Sequence, residues 1–154
     1  MRIEKNSVII TSSEDPSSPD ALALMRELDE ELLNRYPAQS VHGMKPSEAD
    51  VFIIARFDGL AVGCGALRRV SKEIVEIKRM FVRPTHRGRG ISRQILNKLE
   101  STAGAFGYKK IWLETGDAQP EAIRLYESSG YCRIPCYGEY GHDPRSVCFG
   151  KRSQ

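Results

Sequence analysis

Apolar and polar positions divide the chain into alternating helical and extended stretches. In residues 21–36, "ALALMRELDEELLNRY", Leu22, Met25, Leu28, Leu32 and Tyr36 recur at three- and four-residue spacing, which predicts an amphipathic helix. Ser18 or Asp20 stands where a cap belongs. Residues 37–50 then wander through Pro37, Gly43 and Pro46 as a surface loop. Two β-rich runs flank Asp58-Gly59, a pair that supplies the positive φ angles of a tight hairpin turn. A third strand follows in "EIVEIKRMFV" (73–82). Strict alternation puts Ile74, Glu76, Lys78, Met80 and Val82 on one face and Val75, Ile77, Arg79 and Phe81 on the other. Both faces carry apolar residues, so a central strand covered on both sides is expected.

Ile91, Ile95, Leu96, Leu99, Ala103 and Phe106 mark one face of a second helix, stopped by Gly107. "KKIWLET" (109–115) reads as a strand, with Ile111 and Leu113 on one side and Trp112 on the other. "PEAIRLYESSG" (120–130) opens with Pro120 in a helix's first turn and closes on Gly130. A strand edge with a loop, then "RSVCFGK" (145–151) as a final strand, complete the chain. This order predicts a single α/β (α+β) domain over residues 1–154. Its sheet should be mixed and mostly antiparallel, with a strand–helix–strand crossover at its centre and helices on both faces.

With 154 residues, 40% of them hydrophobic and 28% charged, the chain has the composition of an ordinary globular domain with a real core. Its formal charge of +3 gives no support to a generic nucleic-acid binder. The distribution says more: residues 68–93 are strongly basic and residues 14–50 acidic, a pattern suited to an anionic cofactor beside a cationic substrate. No run approaches the ~20 apolar residues of a membrane span, and "MRIEKNSVII" lacks the apolar core of a signal peptide. A cytoplasmic protein without a membrane partner is expected. Cys64, Cys132, Cys136 and Cys148 form no C-x-x-C pair, and His42, His86 and His142 do not cluster with them, so no metal site is expected. Disulfides are not expected either in a domain of this size without an export signal; the cysteines read as buried or half-buried thiols.

The chemistry-bearing segment is "VRPTHRGRGISRQIL" (82–96), where a strand leads through glycines and arginines into a helix. A helix N-terminus leaves four N–H groups unpaired and carries partial positive charge, and glycines let an anion approach them. Arg87 and Arg89 add charge at the mouth. No Lys-Ser or Lys-Thr follows the glycines, which excludes a Walker loop. Arg93 and Gln94 stand in the region of a third glycine, which excludes a dinucleotide fingerprint.

"VRPTHRGRGIS" resembles the acyl-CoA-binding motif of the GNAT N-acetyltransferase superfamily, with Arg87, Gly90 and Ser92 at its three defining positions; Ser92 departs from the usual Gly or Ala. "PEAIRLYESSGY" resembles the superfamily's later motif through Ala122, Leu125, Tyr126, Gly130 and Tyr131. The resemblance runs from about Val51 to Lys151. It implies a six- or seven-stranded sheet whose strands after Ile74 and after Lys110 splay apart around a pantetheine arm. It further implies acetyl-CoA as cosubstrate, held by the backbone of Met80, Phe81 and Val82 and by amides of Arg87, Gly88, Arg89, Gly90, Ile91 and Ser92, with Gln119 as a further contact. Tyr126 takes the position of the tyrosine that protonates the leaving thiolate.

Glu76, on the central strand, is the candidate general base; a structural ion pair with Lys78 or Arg79 is its alternative. Glu31, Tyr36, Tyr137, Glu139, Tyr140 and Asp143 are candidates to shape the acceptor pocket, and His142 reads as loop surface. The implied reaction is acetyl transfer to a primary amine, of a small molecule or a peptide, by direct attack in a ternary complex. A non-catalytic acyl-CoA sensor and a basic nucleic-acid module are the rivals. A homodimer through the C-terminal strands stays open.

Overall fold

The hairpin turn forms where its dipeptide demands it: φ is +50° at Asp58 and +81° at Gly59. In this computed structural model, which describes residues 8–11 and 14–153, the turn joins β2 (Val51–Phe57) to β3 (Leu60–Arg69). β4 (Ile74–Val82) pairs antiparallel with β3. β1 (Val8–Thr11), β5 (Lys110–Gly116), β6 (Cys132–Arg133) and β7 (Ser146–Arg152) complete a seven-stranded sheet in the order β1-β2-β3-β4-β5-β7-β6. All pairs are antiparallel except β4–β5. The three α-helices among the described residues are α1 (Pro19–Arg35), α2 (Ile91–Ala105) and α3 (Pro120–Ser128). The mixed, mostly antiparallel architecture with a parallel central pair is the one expected. The order read from periodicity lacked β1, a four-residue edge strand whose Ile9 is exposed and so shows no clean alternation.

Helix α1 covers one face of the sheet. Ser18 caps it by accepting the Ala21 N–H at 3.2 Å, and Pro19 occupies its first turn. Its buried stripe is Ala21, Leu24, Met25 and Leu28, packed with Phe52, Ile54, Cys64 and Phe81. Each of Leu24, Met25 and Leu28 contributes about 2 kcal/mol by leaving water. Leu22, expected inside, is on the exposed side, its place in the stripe taken by Ala21, while Met25 and Leu28 are buried as expected. Helix α2 covers the opposite face with Ile91, Ile95, Leu96, Leu99 and Ala103, and Tyr126 of α3 joins the same cluster. Phe106 lies past the last turn of α2 and is exposed, against expectation.

Strict alternation along β4 fails at Arg79, whose φ is +60°. Cys64 pairs with Phe81 and Ala66 with Lys78, so Gly65 alone faces both Arg79 and Met80. This is a β-bulge, and it exchanges the faces of the strand. Val75 and Ile77 pack toward α2 before it, Met80 and Val82 do so after it, and Phe81 turns to α1.

The cysteine expectation also needs correcting. Cys136 and Cys148 form a disulfide, their Cα atoms 5.2 Å apart, because Ile134 bonds to the Cys148 carbonyl and lays this segment along β7. Cys64 is free and buried; Cys132 is free and exposed.

The bulge fits because β3 is bare where β4 crowds it. A Cβ on Gly63 would stand 2.8 Å from the Phe81 carbonyl oxygen, a backbone atom that cannot swing aside. Gly63→Ala should therefore cost about 2 kcal/mol. A urea melt should show a lower midpoint at unchanged slope, and an unaltered midpoint would show that β4 can shift.

Candidate active site

β4 and β5 pair only over Ile74–Ile77 and Lys110–Leu113. Beyond that, β4 stays with β3 as far as Val82, and β5 stays with β7 as far as Gly116. The two strands part, and a cavity of about 330 Å³ occupies the gap. Lys78 to Val82 line one wall and Glu114 to Gly116 the other. His86 to Gly88 and Gly90 to Ser92 contribute from the loop, Gln119, Ala122, Leu125 and Tyr126 from around α3. Leu28, Glu31, Leu32 and Tyr36 come from α1, and His42, Tyr140, Asp143 and Arg145 from the two long loops.

At the loop, Gly88 and Gly90 hold φ of +78° and +77°, and a Cβ on either would meet nothing within 4 Å. Gly90 caps α2 without any side-chain bond, and its carbonyl accepts from Gln94. The amides of Ile91, Ser92 and Arg93 precede the first possible intrahelical acceptor and remain open. An open row of N–H groups, bare of Cβ atoms, at a helix N-terminus fits a phosphate or diphosphate. The arginines are otherwise engaged. Arg87 donates from Nε to the Val82 carbonyl at 2.8 Å and from Nη2 to Glu31 at 2.7 Å. Arg89 lies over the Phe57 ring, 5.0 Å from its centroid, and is the one expected cofactor contact absent from the cavity lining. An anion held here would be met by backbone.

Tyr126 is 5% exposed, and its hydroxyl makes no hydrogen bond among the described residues. Burial, then the nearby charge of Glu114, pushes its phenol well above the ordinary value, so it stays a proton donor. Glu114 lines the cavity and accepts the Ser146 hydroxyl at 2.6 Å. Burial raises its carboxyl to about 7, against the pull of Ser146, His42 and Lys78. Lys78 donates to the Tyr140 hydroxyl at 2.8 Å and the Gly43 carbonyl at 3.3 Å; burial holds its ammonium below the usual range. Gln119 receives the Thr115 hydroxyl and the Gly116 N–H, both at 3.3 Å, and Tyr36 closes over Gly116, where any Cβ would overlap its ring.

Glu76 lies outside this lining and is 0% exposed. Its Oε1 accepts from Arg68 at 3.1 and 2.7 Å, and its Oε2 accepts the Tyr137 hydroxyl at 2.8 Å. A structural ion pair does form, but with Arg68 and with neither Lys78 nor Arg79, which turn to Glu139 and Asp29. Tyr36, Tyr140, Asp143 and Glu31 do reach the cavity, while Tyr137 and Glu139 stand behind it. Sequence reasoning missed Glu114 and His42. The only signal for Glu114 was its place on the strand that parts from β4, and His42 sits in an aperiodic loop. Among the described residues no group of His, Cys, Asp and Glu is arranged to hold a metal ion, and no helix is long and apolar enough to cross a membrane.

A sequence model of the Acetyltransferase (GNAT) family matches residues 21–131. The chain belongs to the GNAT family. The match takes in α1, which the motif resemblance had left outside. An IAA acetyltransferase of Azospirillum brasilense is 37% identical over 148 residues, covering 93% of this chain and 97% of the relative. The crystal structure of a putative acyl-CoA N-acyltransferase from Klebsiella pneumoniae superimposes with a TM-score of 0.82 at 30% identity, over 96% of this chain and 98% of that one. YncA of Salmonella typhimurium, solved with its cofactor acetyl-CoA, shares the fold at a TM-score of 0.73 and 15% identity, over 97% and 95% of the two chains.

Glu76 is a structural node within this family frame. Glu76→Ala would take from Arg68 its buried partner and from the Tyr137 hydroxyl its acceptor, at a cost of about 3 kcal/mol. Chemical denaturation should register that loss, and a loss below about 1 kcal/mol would mean that the node contributes no more than a surface pair.

Proposed function

We propose that this protein transfers an acetyl group from acetyl-CoA to a primary amine, with Tyr126 as acid and Glu114 as base. One observation carries the reading: the open amides at the start of α2, the Tyr126 hydroxyl and the Glu114 carboxyl all line the single gap between β4 and β5. Amides of Gly88 and Gly90 to Ser92 hold the diphosphate of the cosubstrate, and the backbone of Met80, Phe81 and Val82, on the side of β4 that β5 has left, receives its extended arm. Acetyl-CoA, when bound, supplies an acyl carbon already activated as a thioester. Direct transfer in a ternary complex then asks two things of the side chains: a proton for the departing sulfur and an acceptor for the protons of the amine.

Tyr126 supplies the first. Burial keeps its proton in place at neutral pH, and a thiolate is basic enough to receive it as it forms. Glu114 supplies the second. A carboxyl raised to about 7 is half ionised near neutrality and stronger as a base than an ordinary glutamate. Glu76 has no such role in this reading, because Arg68 and Tyr137 occupy its oxygens.

Calorimetry with acetyl-CoA tests the binding half of the proposal, and absence of binding would end it. The transfer half is tested by released thiol with a panel of aliphatic and aromatic primary amines, free amino acids, a lysine peptide, and IAA, after the name of the Azospirillum relative. Release with IAA alone would overturn the amine assignment. Tyr126→Phe should lower kcat by about 10²-fold with acetyl-CoA affinity kept, and an unchanged kcat would remove its role.

The pH dependence follows from Glu114. Its basic form is the carboxylate, present above about 7, so kcat/KM of the wild type should rise with pH through that value. Glu114→Gln should lower the rate and remove the Glu114 contribution to this limb. Stability should move the other way. The folded pKa lies above the unfolded one, so burying Glu114 carries no penalty below the unfolded value and a growing penalty as pH rises to about 7. Glu114→Gln should therefore melt higher relative to wild type at pH 8 than at pH 4, and the reverse order would contradict the raised pKa.

A further inference from the structure

Making an amide from an ammonium removes two protons from one nitrogen. If acetyl transfer proceeds as proposed above, one of them replaces, by way of Glu114, the proton that Tyr126 gives to the sulfur. The other must leave for solvent, and Glu114 cannot hold both.

The cavity contains a second group built to accept a proton. His42 and Asp143 lie 101 residues apart in sequence, yet their side chains meet in the lining, with His42 Nε2 2.8 Å from Asp143 Oδ2. Their side chains are 12% and 8% exposed. Asp143 is fixed in its turn: its Oδ1 accepts the Arg145 N–H at 2.9 Å and the Ser40 hydroxyl at 3.3 Å. The edge of the His42 ring meets Tyr140, with centroids 5.0 Å apart and planes at 89°. An ionised carboxylate only accepts, so the ring hydrogen belongs on Nε2 and Nδ1 keeps its lone pair. Among the described residues no hydrogen bond engages Nδ1. The charged and titratable groups that share this part of the cavity are Lys78 from β4, Glu114 from β5, Tyr140 and Asp143 from residues 138–143, and Arg145 ahead of β7. Asp143 alone among them holds the ring.

We infer that His42, oriented by Asp143, is the second proton acceptor of the amine site. In that step the N–H bond of the substrate ammonium breaks and an Nδ1–H bond forms. The resulting imidazolium faces the Asp143 carboxylate, and the free amine keeps its electron pair for attack on the acyl carbon. The imidazolium then returns its proton to solvent, which leaves the enzyme as it began. Overall the nitrogen has lost two protons, one to the sulfur and one to water. His42 is the catalytic residue of this pair, because it touches the amine; Asp143 is a positioning residue that sets the tautomer.

Long-range proton–nitrogen spectra test the tautomer directly. The chain has three histidines, and the signals that vanish in His42→Gln identify His42. At pH 8 the wild type should show a proton on Nε2 and a bare Nδ1. Asp143→Asn should lose this single tautomer, since an amide can donate to the ring as well as accept from it. A proton on Nδ1 in the wild type would overturn the inference whatever the kinetics show. With the amine of the panel that turns over fastest, His42→Gln should lower kcat/KM by roughly 10²-fold at pH 7, with acetyl-CoA affinity kept within about twofold. Asp143→Asn should lower kcat/KM as well, without changing that affinity. Turnover that survives His42→Gln removes the dyad and leaves acetyl transfer standing. If no amine of the panel is acetylated by the wild type, the acetyl-transfer reading fails and this inference falls with it.

Discussion

Everything specific to this molecule depends on two parallel strands that pair for four residues and then part. Parallel neighbours in the middle of a sheet would ordinarily stay paired, since each unmet N–H or C=O inside a protein carries a penalty. Here the separation is enforced from both sides. The bulge at Arg79 bends β4 toward β3, where Gly63 and Gly65 leave room for it. β5 is held by β7 along its whole length, from Lys110 opposite Arg152 to Gly116 opposite Ser146. Neither strand can return to the other without giving up a longer ladder. The result is an internal edge, shielded from other chains but open to an extended ligand that brings its own amides.

A second constraint holds the far wall of the gap. Glu76 is fully buried, and a lone carboxylate there would be costly. It is tolerated because Arg68 on β3 and Tyr137 of the C-terminal loop donate to it, with Tyr140 packed on Tyr137. The same tyrosines set what faces the cavity: Tyr140 takes a bond from Lys78 and packs its ring on His42. A buried charge on the central strand thus fixes a loop that carries the acceptor-side groups. The Cys136–Cys148 disulfide fastens that loop to β7 at its other end.

How much of this was legible in the sequence depended on how local its cause was. The Asp58-Gly59 turn, the Ser18 cap, the Pro120 start and the glycine loop before α2 follow from short-range chemistry, and each stands where the residues indicated. The periodicity of α1 and α2 also located the helices, though Leu22 and Phe106 show that one apolar residue beside a stripe is indistinguishable from a member of it. The bulge was not legible, because Arg79 has no turn-forming character and its φ of +60° is imposed by β3 and by bonds to Asp29 and Met25 of α1. The same non-locality hid the partners of Glu76. Strand alternation located its carboxylate on a buried face but could not say that residues 61 positions away would saturate it. Glu114 and His42 fell in the same class, since their chemistry comes from neighbours that only the folded chain supplies.

Burial ties these features into one electrostatic design. Removing a group from water disfavours its charged form whichever sign it carries. In this gap the effect acts on acids and bases together. The Glu114 carboxyl rises to about 7, the Tyr126 phenol rises further, and the Lys78 ammonium falls. Glu114 and Lys78, which would be firmly charged at a surface, are thereby brought nearer to the point where they can take or give up a proton, while Tyr126 keeps its own. Asp143 is the counter-example that completes the pattern. Burial would raise it too, yet the Arg145 N–H, His42 and Ser40 together hold it below the ordinary carboxylate range. It therefore remains an anion where Glu114 is only half ionised, and two carboxyls in one cavity are set apart by burial at one and hydrogen bonds at the other. The parting of β4 from β5 consequently does more than open a cavity: it creates the half-dry space that sets the protonation of these side chains.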